Sequence, residues 1–257
     1  MECKNCQTSL SDYSSYCSNC GGKVIKNRLT LKNLLAYFTE TYFNYDNKFL
    51  QTCSKLITTP EDVIGGYISG VRKKYVDPVT FLAISFTLSG IYLFFFKDWL
   101  LGIMDFSNIS TFYENQEKIN EVFMDFIFDY NSLLYLLIIP GLALISWLVF
   151  LNKKYNFTEH IVIYLYSMSF TSIVSIILTI ITAWLSINYL IFSIVLYVLM
   201  FIYHCYLLKR VFKLTAGQLV LKTLLFIPLF FLFYITITIV VVVVMILTGV
   251  IPMNGIS

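Results

Sequence analysis

Charge is what this chain has least of. Only 13% of its 257 residues are Asp, Glu, Lys or Arg, about half the ~25% of an ordinary soluble domain. The shortage is uneven, with Val79 to Phe96, Tyr130 to Asn152 and all 48 residues from Ile161 to Leu208 carrying none. Runs of that length exclude a soluble globular protein, because about 20 apolar residues suffice to cross a bilayer. The first 30 residues have charges, cysteines and Gly21-Gly22 but no apolar core, so no cleavable signal is expected and the first span serves as the targeting signal. Also missing are a P-loop, a dinucleotide fingerprint, a nucleophile elbow, HExxH and any internal repeat. Nothing in the sequence points to an enzyme.

Each charged residue costs ~2.5 to 3.5 kcal/mol at the centre of an inserting helix, so uncharged runs locate the spans. An all-α integral membrane protein of five spans is expected, over about 79–96, 131–151, 161–185, 189–208 and 223–248. The 48-residue run would make a helix of roughly 72 Å, twice the ~30 Å hydrocarbon core. It must turn back, and Ser186-Ile187-Asn188 is the expected turn. Lys and Arg then set the orientation. Ten precede the first span, two fall in the loop at Lys153 and Lys154, and four lie at Lys209, Arg210, Lys213 and Lys222. The acidic loop 97–130 has only Lys97 and Lys118 against Asp98, Asp105, Glu114, Glu117, Glu121, Asp125 and Asp129. The N-terminus is therefore expected in the cytoplasm and the C-terminus outside. The net charge of +3 reports topology and implies no nucleic-acid partner.

Cys3-Lys4-Asn5-Cys6 and Cys17-Ser18-Asn19-Cys20 form CxxC-x10-CxxC within residues 1–27. Two residues between thiolates let one tight turn aim both sulfurs at one ion, and two turns complete the S4 set of a structural zinc ribbon. Two disulfides or a redox pair are the rival readings; a cytoplasmic, reducing location favours zinc. Lys4, Lys23, Lys26 and Arg28 offset the charge of four thiolates on Zn²⁺. With so short a chain around it the ribbon is expected to fold only with metal. Cys53 and Cys205 have no sequence partner and read as small buried apolar residues.

Residues 28–78 read as cytoplasmic amphipathic helices. Leu31, Leu34, Leu35, Phe38 and Tyr42 have helical spacing. A second helix from Asp46 uses Phe49, Leu50, Cys53, Leu56 and Ile57 and stops before Pro60. A third begins with Thr59 as N-cap, Pro60 in the first turn and Glu61 and Asp62 beside the positive helix end. Arg72, Lys73 and Lys74 follow, placed to orient the first span and meet anionic headgroups. The strings CKNC (Cys3 to Cys6), YCSNCG (Tyr16 to Gly21) and RLTLKNLL (Arg28 to Leu35), together with Thr52, Leu56, Pro60, Val63, Ile64, Tyr67, Gly70, Arg72 to Val76, Pro78 and Phe81, resemble a family of uncharacterised bacterial multi-pass membrane proteins with an N-terminal zinc ribbon. The resemblance implies a bacterial cytoplasmic membrane and this architecture, without an activity. It also implies further histidines after Glu159-His160, where this chain has Tyr166 and Met168.

Inside the bilayer, Ser167, Thr171, Ser175, Thr179, Thr182 and Ser186 line one helical face, a pattern that favours close helix packing over a water-lined path. Glu159, His160 and His204 fall at similar cytoplasmic depth and are a candidate polar site, weighed against ordinary interfacial His and Tyr. Pro140-Gly141 and Pro228 could kink their helices. These features fit a non-enzymatic anchor or scaffold, able to form a homo-oligomer, whose zinc ribbon contacts a cytoplasmic protein. A small-molecule or lipid permease component is the alternative. A reporter enzyme active only outside the cytoplasm is expected to be silent when fused before Met1 and active after Ser257; the reverse pattern overturns the orientation.

Overall fold

The computed structural model describes residues 1–22, 24, 30–32, 48–103, 125–185 and 189–248. The chain divides into two compact units, Met1–Asn47 and Lys48–Ser257. Among the described residues of the second, seven helices of nine or more residues follow one another: α1 Lys48–Thr58, α2 Pro60–Ile68, α3 Pro78–Ile103, α4 Asn131–Val149, α5 Phe157–Trp184, α6 Tyr189–Val211 and α7 Ala216–Leu247. The amphipathic helix expected at Leu31 to Tyr42, the Ser186 turn and most of the acidic loop lie outside the described residues, although α5 and α6 end and begin on either side of that turn.

Four helices are long and apolar enough to cross a membrane: Pro78–Lys97 of α3, Phe157–Trp184, Ile191–Val211 and Ala216–Leu247. This is a membrane protein. The remaining expected span, in α4, has a shorter apolar stretch at Leu133–Val149. At 1.5 Å per residue its 17 residues cover about 26 Å, slightly less than the ~30 Å core. Two helices run on beyond the bounds expected for their spans. That of the first continues past Phe96 to Ile103, with Lys97 paired to Asp125 (3.0 Å) and Asp129 (2.8 Å). The last starts at Ala216, where Thr215 and Gln218 close a capping box ahead of Lys222.

The helix α5 is the centre of the unit. It packs against α1, α2, α3, α4 and α6, and 50% of its apolar window is buried, against 6% in α6 and in α7. Lipid tails give apolar helices no reason to associate, so close approach and small side chains must provide it. The hydroxyl face does so: Ser167, Thr171, Thr179 and Thr182 are buried. Thr171, Ser175, Thr179 and Thr182 each donate to a carbonyl three or four residues back, at 2.8 to 3.1 Å. A hydroxyl bonded to its own helix presents little polarity outward.

At one end of this bundle α1 and α2 form a pair over α5 and α6. Leu56, Val63 and Ile64 are fully buried there. The last carbonyls of α1, which no helical N–H can reach, are taken by α6: Tyr203 Oη donates to Leu56 O (3.3 Å) and Tyr206 Oη to Thr58 O (2.9 Å). The Arg210 guanidinium joins the Glu61 carboxylate and holds it below the usual carboxylate range. Sequence periodicity put Leu50 and Ile57 in the buried stripe of α1. Both are exposed, because Phe49, Thr52, Cys53 and Leu56 already complete one face. Thr59 precedes α2 as expected but makes no side-chain cap, and its hydroxyl is buried without a partner. Pro60 has no N–H to satisfy, and the first turn closes through Asp62 N–H to Thr59 O (2.9 Å).

Two helices meet the linker into α3 at one residue. Val76 N–H donates to Thr52 Oγ1 (3.1 Å), Thr52 Oγ1 donates to Lys48 O (2.5 Å), and Tyr166 Oη donates to Val76 O (2.7 Å). Pro140-Gly141 does not break α4, which runs through both. A Cβ at Gly141 would overlap the Phe233 ring, so this glycine lets α4 and α7 approach. Thr52→Val keeps the volume but strands a buried N–H, which costs about 1–3 kcal/mol. The detergent-solubilised chain is expected to melt several degrees lower, with Tyr166→Phe giving a smaller drop; an unchanged midpoint for Thr52→Val would show that the linker is held by packing alone.

Candidate functional site

The first unit is built from two copies of one turn. Gln7 N–H donates to Cys3 O (2.8 Å) and Cys3 N–H to Thr8 O (2.9 Å); fourteen residues on, Gly21 N–H donates to Cys17 O (2.9 Å) and Cys17 N–H to Gly22 O (2.9 Å). The flanks repeat with the same offset, Leu10 N–H to Met1 O (2.7 Å) and Val24 N–H to Ser15 O (2.9 Å). An internal repeat is thus present after all. Only Cys, Asn and Cys recur at matched positions, too few identities to see without the backbone. Each copy turns through the left-handed region just after its second cysteine, at Gln7 (φ 59°) and Gly21 (φ 68°). Glycine enters that region without the Cβ penalty that Gln7 bears.

The two turns bring the four sulfurs within 4.8 Å of one another. Cys3 and Cys20 are 3.6 Å apart, as are Cys6 and Cys17, so each short contact joins one copy to the other. All four are free thiols. Sulfurs at ~2.3 Å from a tetrahedral ion lie about 3.8 Å apart, and the cluster fits that shape: the four cysteines could hold a metal ion. The surrounding groups prepare some of the thiolates. Hydrogen bonding from the Thr8 side chain, and then its backbone, brings Cys6 down to about 6. Asn5 from the first copy lowers Cys20 in the second. Asn19 reaches back to Thr8 Oγ1 (3.0 Å). Cys17 receives backbone N–H bonds from Cys20 and Asn19, but burial and the sulfurs of Cys6 and Cys20 carry it above its ordinary value.

The candidate polar residues in the bundle go to separate partners. Glu159 closes a capping box, accepting from Asn156 N–H (2.7 Å) while its own N–H donates to Asn156 Oδ1 (2.9 Å). His160 is fully buried, its Nδ1 2.9 Å from Ser146 Oγ and its ring against Tyr155 and Phe212. His204 Nδ1 lies 2.9 Å from Met200 O, one turn back, and its ring stacks at 6.5 Å on Tyr164. Among the described residues the cysteines form the one group of three or more metal-ligating side chains within ligating reach. Arg72 sits over the Tyr67 ring (5.6 Å) and Lys74 over the Tyr75 ring (5.1 Å), and Arg72, Lys73 and Lys74 are all exposed. Cys53 is half-buried, which pushes its thiol up to about 11; Cys205 lies 3.9 Å from Thr223 Oγ1.

Residues 46–90 match the model of a family described as Protein of unknown function (DUF3667). No curated protein and no solved structure matches the chain. The matched segment holds α1, α2, the linker and half of α3, so it includes Thr52 and the Val76 peptide. Three positions outside the sequence reading matter here. Thr52 entered only through the family resemblance, and Tyr166 only as a replacement for histidine, yet together they hold the linker. Tyr13 is 97% exposed on the cysteine unit, an aromatic surface that no periodicity would reveal.

Metal binding requires deprotonated sulfur, so retention is complete above the free thiol values and is lost as pH falls through the lower values of the bound state. Acidification is expected to release the cation from the loaded full chain, as followed with a metallochromic indicator, and Gly21→Val to release it at higher pH by straining the second turn. Metal content unchanged by the Gly21 substitution would show that the turn does not govern the site.

Proposed function

We propose that this chain is a non-enzymatic, multi-pass membrane scaffold with five membrane-crossing helices, and that its N-terminal unit holds one structural Zn²⁺ and contacts a cytoplasmic protein. The carrying observation is the closed set of four cysteine sulfurs drawn from two copies of one turn. Four protein ligands fill a tetrahedral shell, leaving no position for water or substrate, so the ion supplies rigidity. The S4 donor set favours zinc among the available divalent ions.

The orientation rests on the excess of Lys and Arg on one side of the expected spans. A cytoplasmic N-terminus keeps the thiols reduced and exposes the unit to soluble proteins. The fifth span is α4, whose 19 residues reach about 28 Å. Exposed Tyr13 and Tyr16 supply the aromatic area that dominates protein interfaces.

A photo-crosslinking amino acid at Tyr13, used in intact cells, is expected to capture a discrete protein, and Cys3→Ser in the same chain to abolish that product while leaving the membrane level of the protein unchanged. If the adduct survives loss of the metal ligand, or if only lipid is captured, the contact reading fails.

A further inference from the structure

A cavity of about 610 Å³ lies between α4, α5, α6 and α7. Its walls are almost wholly apolar except at one end, where Lys222, Thr223, His204 and Tyr164 gather. These four sit at one depth: Cys205 beside Thr223 (3.9 Å) sets the register of α6 against α7, and Tyr164 stacks on His204. Tyr164 is 1% exposed, and its ring forms part of that end. Lys222 gives one proton to Val149 O (2.5 Å), the last carbonyl of α4, and lies over the Phe150 ring (5.5 Å). An ammonium carries three donors, and among the described residues no carboxylate pairs with it.

The other end is lined by Phe230, Tyr234 and Ile237 of α7, with Tyr197 of α6 opposite. Tyr197, Phe231 and Tyr234 are more than half exposed, so the cavity opens sideways between α6 and α7, onto the bilayer. From Lys222 to Ile237 the axial distance is about 22 Å at 1.5 Å per residue, longer than the ~15 Å depth of one leaflet of a ~30 Å core. The shape suits a slender chain, and an apolar pocket with a few polar groups at one end fixes the orientation of a ligand.

We infer that this cavity seats an acyl chain of an anionic glycerophospholipid, with its phosphate beside Lys222. The cavity lies wholly within the helical unit, so the inference stands apart from any partner of the cysteine unit. Lys222 contributes charge selection, and the apolar walls contribute binding common to all lipids of the same chain length.

The test uses the full-length chain in mild detergent, titrated with phosphatidylglycerol or phosphatidylcholine of identical acyl chains and read by native mass spectrometry. The wild type is expected to retain one phosphatidylglycerol per chain in preference to phosphatidylcholine. Lys222→Gln should reduce that preference roughly fivefold, the share of one surface lysine, and Lys222→Arg, which keeps both the charge and a donor for Val149, should preserve it. Met200→Trp, filling the cavity from α6, should weaken both lipids alike. Equal binding of the two lipids by the wild type, a preference untouched by Lys222→Gln, or a lipid-free dimer that Met200→Trp dissociates would each overturn the assignment, the last in favour of a second copy of the chain.

Discussion

The backbone of Val76 is gripped on both sides. Thr52 from α1 takes its N–H and Tyr166 from α5 supplies a proton to its carbonyl. Buried main-chain groups must be paired, because leaving one unmet costs as much as a lost hydrogen bond. Here the pairing also decides where the first membrane helix begins. Thr52 can serve Val76 only if α1 lies against the linker, and Tyr166 can do so only if α5 stands beside the start of α3. The rings around the bond agree with that placement: Phe81 lies 5.8 Å from Phe49 and 6.0 Å from Tyr166. One residue thus ties an amphipathic helix, a linker and a central membrane helix. That the family match covers residues 46–90 is consistent with this segment forming a unit of structure.

From that fixed point α5 organises the rest. Its burial on several sides demands side chains small enough for neighbours to approach, and any polar atoms they carry must be met within the helix. The two requirements are met by the same residues. Thr171, Thr179 and Thr182 turn their hydroxyls back onto α5 carbonyls, leaving methyl groups for the interface. Gly141 plays the corresponding part between α4 and α7, where the Phe233 ring occupies the space of a side chain.

The membrane helices were legible because charge is expensive in lipid whatever the tertiary structure, so its absence over Ile161 to Leu208 needs no knowledge of neighbours. The cysteine cluster was legible for a similar reason: the CxxC spacing is local, and it alone places two sulfurs side by side. What escaped depends on partners distant in sequence. Glu159 beside His160 suggested a joint site, yet a carboxylate three residues after Asn156 has a nearer use in capping, and His160 finds Ser146 on another helix. Thr59 has the right residue type for a cap, but its hydroxyl is turned elsewhere. The repeat in the cysteine unit was hidden because backbone hydrogen bonds repeat there while side chains do not.

Basic residues show how one count can be correct and still incomplete. Their distribution reports orientation because that signal depends only on which side of the membrane they stand. Their individual tasks differ. Lys97 pairs with Asp125 and Asp129 at the far end of α3, Arg210 clamps Glu61 of α2, and Lys222 closes the last carbonyl of α4 from 73 residues away. A positive charge near a helix C-terminus is favoured by the helix dipole, so Lys222 stabilises that end of α4. Topology is shared among many residues, with Lys209, Arg210 and Lys213 beside it in the same connection, whereas the carbonyl of Val149 has Lys222 alone among the described hydrogen bonds. Loss of this lysine is therefore felt first in the local packing of α4 against α7, long before it could change which way the chain faces.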